Sequence, residues 1–304
     1  MASFGTSVRD TLQVARFHVL RALRTRTVVF LCVVYVIAST GMAWIFRHIV
    51  HELETNLAKV LGVPATETPG AMLDSLKAQP EFADLLRGLL PDEALLDWAM
   101  SQPVLAISYF WMALGMLPFL AAAAGAEVVA DGIKDRSLRF ELVRTGRLEL
   151  ILGRFLGQAV LVGVATAASA VGPFCVAVFF MANQPPLDQA SALLLATPRL
   201  LAWSLPFLGI GVACSQLTGS TNAARTLALG AAVSTWVLSG ILETRWLLKH
   251  APVLADLIEP VLPQTYMLSL WGPGMGWLSG AAIVTGLGLV YALASFPLFR
   301  RRKL

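Results

Sequence analysis

Long apolar stretches restrict the fold of this 304-residue chain more than any other feature. A helix needs about 20 consecutive, mostly apolar residues to cross a bilayer, and six separate stretches reach that length. Hydrophobic residues make up 57% of the chain and charged residues only 14%, which is too apolar for a soluble domain. The sequence therefore predicts an all-α polytopic membrane protein rather than a soluble enzyme. The six predicted spans are residues 27–46, 103–125, 155–182, 191–214, 225–242 and 277–299.

The distribution of Lys and Arg predicts how these spans are oriented. Sixteen of the 23 basic residues lie in the N-terminal segment, the 126–154 loop, the C-terminal tail and at Arg225. Loops rich in Lys and Arg stay in the cytoplasm. We therefore expect both termini to be cytoplasmic, in a multi-pass protein of a bacterial inner membrane. The remaining seven lie in the outer loop 47–102 and at Arg199, Arg245 and Lys249.

Three segments outside the spans have patterns of their own. Residues 7–25 predict an amphipathic helix that lies in the membrane interface, with Arg9, Arg16 and Arg24 directed at anionic lipid headgroups; a soluble helical extension is the alternative. The outer loop 47–102 contains several prolines and amphipathic pieces, which predicts a small helical cap. This cap either shields the mouth of the protein or docks a periplasmic partner. Residues 251–276 are apolar but interrupted by Pro and Gly, which predicts a re-entrant or interfacial hairpin before the sixth span.

Several kinds of chemistry have no support in the sequence. No phosphate-binding loop, H-E-x-x-H or G-x-S-x-G motif is present, so we expect no cofactor in this chain. His48 and His51, beside Glu52, would supply half of a metal site at most, and such residues at a wet interface are more often polar surface. The net charge of +4 is explained by topology, and no basic, aromatic-rich polar domain indicates a nucleic-acid partner.

The predicted cytoplasmic loop 126–154 is the most informative polar segment. It interleaves the apolar residues Leu138, Phe140, Leu142 and Val143 with charged ones. This composition suits a surface that packs on another protein, although a solvated connector would also be compatible with it.

Along this loop come, in order, Glu127 and Asp131, Arg136-Ser137-Leu138, Thr145-Gly146-Arg147 and Leu152-Gly153-Arg154. With these motifs the loop resembles the link between spans two and three of the ATP-binding cassette type-2 permeases, the membrane subunits of one class of bacterial exporters. In that family the link commonly has an acid, Gly-Thr-Leu, an apolar stretch, Pro, Arg and then Leu-Gly-Lys. Arg136 stands where the family has Gly, and no Pro precedes Arg147. Two further matching segments are Ala223 to Gly230 and Leu262-Pro263-Gln264-Thr265-Tyr266.

The resemblance implies that residues 1–304 form one transmembrane permease domain. Its partners would be two copies of an ABC ATPase subunit, which carry the ATP and Mg, and a second permease copy or a paralogue. The N-terminal helix and the 126–154 loop would be the docking elements. The residues expected to couple to the ATPase are Asp131, Asp135, Arg136, Ser137, Leu138, Glu141, Leu142, Arg144 and Arg147.

Three functions are compatible with this reading. The first is the membrane subunit of an ATP-driven exporter. The second is a non-transporting relative that sends mechanical force through the 47–102 loop to a periplasmic partner. The third is an intramembrane enzyme, for which the sequence offers no paired nucleophile and base. Because the spans contain so few ionisable residues, coupling to a proton or sodium gradient is disfavoured, and such spans are compatible with a lipid, a peptide, a drug or an ion as the substrate.

Overall fold

The three-dimensional structure is a computed structural model, and it is all-helical wherever it describes the chain. The described residues are 4–24, 26–61, 64, 67–72, 84, 96, 98, 100–182, 185–242, 252–271 and 275–302. Most of the outer loop and the linker before the predicted hairpin lie outside these ranges, so the prediction of a helical cap concerns residues that are largely not described.

Eleven α-helices and three short 3-10 helices make up the described elements. The helices are α1 (Phe4–Arg24), α2 (Arg26–Leu61), α3 (Val104–Lys134), α4 (Leu138–Leu142), α5 (Arg147–Ser169), α6 (Val171–Phe180), α7 (Pro186–Leu217), α8 (Thr221–Leu242), α9 (Pro252–Ile258), α10 (Trp277–Ala294) and α11 (Phe296–Arg301). The 3-10 helices are Glu259–Val261, Pro263–Tyr266 and Leu268–Leu270.

The prediction of six spans is confirmed, since six helical segments of the described chain are long and apolar enough to cross a bilayer. All six are longer than the predicted spans. Helix α2 continues past residue 46 to Leu61, and α7 begins at Pro186 rather than at residue 191. The six segments are Cys32–Val60, Val104–Lys134, Arg147–Phe180, Pro186–Leu217, Thr221–Leu242 and Trp277–Arg301.

Helix α7 forms the centre of the bundle, where it packs against α3, α5, α8 and α10. Its Trp203 and Phe207 are fully buried, and their rings meet edge to face at 5.3 Å. Small residues allow close approach of the backbones, as is common between helices in lipid. A Cβ atom on Gly209 would lie only 2.1 Å from the carbonyl oxygen of Gly288 on α10, so α7 and α10 touch backbone to backbone there.

A proline inside α3 is compensated by a side chain of α7. Pro118 has no N–H group, which leaves the carbonyl of Leu114 without its normal helical hydrogen bond. The indole Nε1 of Trp203 donates to that carbonyl across 3.2 Å. A freed carbonyl in hydrocarbon needs such a partner, so the central tryptophan makes the α3 proline tolerable.

The break between α5 and α6 is compensated in a similar way. Pro173 leaves the carbonyl of Ser169 free, and the hydroxyl of Ser39 on α2 donates to it across 2.7 Å. Tyr109 on α3 also points its hydroxyl at this break, 2.8 Å from the hydroxyl oxygen of Ser169. Side chains of two neighbouring helices thus hold the broken third span together.

Two described pieces lie at the end of the bundle that is predicted to face outward. The buried carboxylate of Glu54 on α2 accepts hydrogen bonds from the backbone N–H groups of Gly70 and Met72, each at 2.9 Å. Residues 252–271 form α9 and the 3-10 helices, in which Gln264 donates to the hydroxyl of Thr235 on α8 at 2.9 Å. The depth of this segment in the membrane stays a prediction.

Candidate functional site

The segments with the most arginine meet at one end of the bundle. Helix α1 reaches the start of α5, where the hydroxyl of Ser7 donates to Glu149 across 3.0 Å. Helix α11 reaches the same place from the C-terminal side, because Arg147 donates to the carbonyls of Phe299 and Arg300, each at 2.7 Å. The positive charges that the sequence assigned to one side therefore do share one end of the structure.

The link between α3 and α4 turns at Arg136. This residue has a φ of 56°, a left-handed backbone conformation that glycine adopts at no steric cost and other residues adopt rarely. It is the position at which the resembling permeases commonly have Gly. A glycine at this position would adopt the turn without steric cost, whereas this chain makes the turn with an arginine.

Leu138, one of the expected coupling residues, faces the interior of this chain, and its part in coupling stays a prediction. Leu138 is only 1% exposed because α4 lies with this side chain against α3, where a Cβ on Gly132 would meet it at 2.9 Å. Leu142, one turn later on the same face, is half-buried against the core. The hydroxyl of Ser137 is also buried, and it has no hydrogen-bond partner among the described residues.

The exposed apolar residues of this segment are Phe140 and Val143, at 78% and 85% exposure. Neither was among the expected coupling residues. Helix periodicity could have distinguished these two residues from Leu138 and Leu142 in the sequence. Residues i and i+4 share a helix face, whereas Phe140 and Val143 are two and five residues after Leu138 and lie on the other side. Asp135, Arg136, Arg139 and Arg144 are exposed around them. The outward surface of this segment, which we call the α4 knob, consists of Phe140, Val143 and these four charged residues.

Helix α4 is held by an ion pair underneath the knob. The guanidinium of Arg154 on α5 is 2.7 Å from the carboxylate of Glu141, and it also donates to the carbonyl of Val128 on α3. Arg154 is only 5% exposed, so both of its contacts are sheltered from water. Arg21 on α1 adds a longer contact to Glu141 at 3.8 Å. Glu141 therefore ties α4 to α5 and brings α1 close.

Two more of the expected coupling residues act within the chain. Arg147 is half-buried, and its guanidinium contacts the C-terminal carbonyls of α11 and lies 5.5 Å from the ring of Phe299. Asp131 accepts a hydrogen bond from Thr221 at the start of α8. One turn away, Glu127 pairs with Arg225. These contacts join α3 to α8 and α5 to α11 at the arginine-rich end.

Helix α1 packs tightly on α5. A Cβ on Gly153 would lie 2.6 Å from the carbonyl oxygen of Thr11, so only glycine permits this approach. Nε2 of His18 lies 2.9 Å from Oε1 of Gln158. Burial lowers the pKa of His18 below its ordinary value, the bond to Gln158 partly opposes this, and nearby Arg154 lowers it further. Packing of α1 on α5 therefore favours the neutral form of the His18 imidazole.

The opposite side of α1 carries exposed apolar residues with arginines beside them. Arg9, Arg16 and Arg24 are exposed. Such a face suits a helix in the membrane interface, and the interfacial position stays a prediction. The exposed apolar residues are Val8, Leu12, Phe17, Leu20 and Leu23.

What this end of the protein offers chemically is a contact surface. Within the described ranges, no group of three His, Cys, Asp or Glu side chains is arranged to hold a metal ion. The α4 knob instead combines two exposed apolar side chains with charges of both signs, which is the composition of a protein interface rather than of a catalytic cleft.

Comparison with known proteins gives one family match. The model of a family described as "ABC-2 family transporter protein" matches residues 12–304, nearly the whole chain. Among curated proteins, none gives a significant match.

Proposed function

Because this chain belongs to the ABC-2 family of transporter membrane proteins, we propose that it is the permease subunit of an ATP-driven exporter. A separate ATPase subunit would bind ATP and Mg, since this chain has no phosphate-binding loop. The complex would contain two ATPase copies and a second permease, either another copy of this chain or a paralogue. The arginine-rich end would face the cytoplasm, as the positive-inside rule requires.

The observation that carries this proposal is the exposure of Phe140 and Val143 on a segment that is otherwise fixed. Exposed large side chains at 78% and 85% cost solvation free energy unless something covers them. The ion pair of Glu141 and Arg154 holds the helix beneath them in place. A pre-organised apolar contact with a charged rim is suited to binding a protein partner with little loss of conformational entropy.

The contacts beneath the knob suggest how ATPase movement would reach the spans. A displacement of α4 would be transmitted to α3 through buried Leu138 and to α5 through Arg154. From α3 it would pass to α8 through the Glu127–Arg225 and Asp131–Thr221 contacts. Because α3, α5 and α8 are all candidate spans, a movement of the ATPases would tilt membrane helices without any charge in the bilayer interior.

The docking role is tested by the double substitution Phe140→Asp with Val143→Asp. The double substitution buries two uncompensated carboxylates in the proposed contact. Each loss of about 1.4 kcal/mol in the free energy of binding weakens the affinity about tenfold. We expect normal membrane abundance and loss of the co-purifying P-loop ATPase. The matched control is Leu187→Asp, because Leu187 is 79% exposed at the opposite end. Recovery of the ATPase with the double variant at the wild-type yield would refute the docking role.

The proposed orientation has its own test. In a background without the native cysteines, an impermeant thiol reagent should label a cysteine at Leu187 in intact cells but not one at Arg144. Both positions are exposed on this chain, and the cells used lack the ATPase partner, which would otherwise cover Arg144. Labelling of both in sealed cells would overturn the orientation.

A force-transmitting function without transport is favoured by one feature, the extension of α2. This helix runs unbroken from the first span to Leu61, about 20 Å beyond the predicted end of the span at 1.5 Å per residue. A photo-crosslinker at Val60, which is 84% exposed, would distinguish the two functions. A periplasmic protein captured there in an ATPase-dependent manner supports force transmission, whereas no such capture supports the exporter.

A further inference from the structure

Arg199 on α7 is a buried cation at the end of the bundle opposite the α4 knob. It is only 7% exposed, and an arginine side chain remains charged at any pH that a cell experiences. A charge enclosed in this way is unfavourable unless it is paired or hydrogen-bonded. The surroundings of Arg199 therefore indicate what is meant to neutralise it.

The protein groups around Arg199 are aromatic. Its guanidinium carbon lies 5.8 Å from the ring centre of Trp98 and 5.6 Å from that of Trp277. Its Nε is enclosed and has no hydrogen-bond partner among the residues that the structure describes. In the described part of the chain, no carboxylate lies within ion-pairing distance of Arg199; the ion pairs there involve other arginines. Two tryptophan faces stabilise the cation partially, but they accept no conventional hydrogen bond.

Two other arginines that the structure describes as buried or half-buried are satisfied by protein groups. Buried Arg154 has both a carboxylate and a backbone carbonyl. Arg47 also lies over a tryptophan, 4.9 Å from the ring centre of Trp44, yet its Nε donates to the carbonyl of Phe180 at 3.0 Å. Stacking on tryptophan thus does not by itself explain why the Nε of Arg199 lacks an acceptor.

A second donor without an acceptor lies beside the same tryptophan. The ring of Trp271 is 5.8 Å from the ring of Trp98, centre to centre. Trp271 is 3% exposed, and its Nε1 is enclosed with no partner among the described residues. Two buried donors, one of them charged, therefore lie near Trp98. Oxygen atoms of an anion are the acceptors that would satisfy donors of this kind.

The position of this cluster indicates the kind of molecule that carries the anion. Trp98 precedes the second span and Trp277 begins the last one, and tryptophans at span ends mark the headgroup level of a bilayer. On α7, Leu194 and Leu195 are 74% and 64% exposed one turn before Arg199. A lipid would thus meet an apolar surface and a buried cation next to each other.

We propose that Arg199 and the indole N–H of Trp271 form a binding site for a phosphate group, presented by an anionic lipid headgroup at the outward end of the bundle. The phosphate oxygens accept from the guanidinium and from Nε1, and the acyl chains lie along the exposed leucines of α7. Trp98 and Trp277 hold the guanidinium between them. The site lies at the opposite end from the α4 knob and is independent of ATPase binding.

The test uses the purified full chain in nanodiscs of phosphatidylcholine, with or without phosphatidylglycerol, and with or without inorganic phosphate. A ligand that binds only the folded state raises the Tm. We expect phosphatidylglycerol to raise the Tm of the wild type and to remain bound in native mass spectrometry. Arg199→Gln should abolish the shift and weaken retention about tenfold, as loss of a charged hydrogen bond implies. Arg47→Gln is the control and should retain both.

Comparing phosphatidylglycerol with inorganic phosphate separates the two sources of a phosphate group. A shift with phosphatidylglycerol but not with inorganic phosphate supports the lipid headgroup, and an equal shift with both shows that the site takes free phosphate instead. If Arg199→Gln fails to fold, the site is still tested by Arg199→Lys and by the response of the wild type to phosphatidylglycerol and to inorganic phosphate. No shift and no retention in the wild type overturn the site. Asp97 is next to Trp98 in the sequence. The site is also overturned if Asp97→Asn lowers the Tm and phosphatidylglycerol has no effect, because Asp97 would then be the counter-ion.

Discussion

Glu141 accepts a hydrogen bond of 2.7 Å from Nη2 of Arg154, and this contact joins the short helix α4 to the start of the third span. The arginine is buried, whereas the glutamate retains 24% exposure of its side chain. The pair is therefore sheltered enough to be costly to break from either side. It lies directly under the surface that we propose as the ATPase contact.

The first prediction concerns this pair. Glu141→Ala leaves the Arg154 cation buried with only a backbone carbonyl, and removing one partner of a sheltered pair costs several kcal/mol. Because Glu141 is partly exposed, we expect the free energy of unfolding to fall by about 2–3 kcal/mol. Thermal unfolding in detergent should show a clear loss of Tm, and Asp135→Ala, at an exposed acid nearby, should stay within about 0.5 kcal/mol of the wild type. Equal effects of the two substitutions would show that the pair contributes little.

The second prediction concerns the left-handed backbone at Arg136. Arg136→Gly removes the steric cost of a φ of 56° and should leave stability unchanged or raise it by up to about 1 kcal/mol. Arg136→Val should lower it by about 1–2 kcal/mol, because a β-branched residue tolerates this conformation poorly. Thermal unfolding measures both. The opposite order of the two variants would mean that this turn is not left-handed in the protein.

Much of this architecture is predictable because it depends on local sequence patterns. The length and apolar character of a span depend only on the residues of that span, so all six were predicted. The gathering of basic segments at one end also follows from composition. The link after Asp131 was predicted as the coupling segment from short motifs, and the structure places it at that end.

Other features depend on contacts between residues far apart in the sequence. The rotation of α4 that buries Leu138 and exposes Phe140 is decided by its packing on Gly132 of α3. Arg147 contacts carbonyls at the C-terminus, more than 150 residues away. Likewise, nothing next to Arg199 in the sequence indicates that two tryptophans enclose it. No local pattern contains this information.

The third prediction tests the compensation of Pro118 by Trp203. Trp203→Phe removes the donor to the Leu114 carbonyl, and an unsatisfied buried carbonyl costs about 1–3 kcal/mol beyond the lost packing. Pro118→Ala restores the backbone N–H that would bond this carbonyl within α3. In the Pro118→Ala background, Trp203→Phe should therefore cost about 1 kcal/mol less than in the wild type. Strict additivity in this double-mutant cycle would show that the indole is not the compensating donor.

The last prediction is a pH dependence of the packing of α1. Burial lowers the pKa of His18 below its ordinary value of 6.5, the bond to Gln158 partly opposes the shift, Arg154 and Arg21 lower the pKa further, and Glu141 raises it. When α1 detaches, His18 returns to the ordinary value and takes up a proton more readily than in the packed state. The detached state therefore binds more protons once the pH falls below about 6.5, and the packing must weaken there.

Amide hydrogen exchange in residues 11–22, corrected for the intrinsic effect of pH, should accelerate between about pH 7.5 and 5.5. His18→Gln cannot be protonated, so its corrected exchange should not change with pH. His48→Gln is the matched control, because His48 is exposed at the other end of the bundle, and this variant should keep the wild-type pH response. A wild type whose corrected exchange is constant over this range would contradict the neutral, buried state of His18, and so would a His18→Gln variant that still responds.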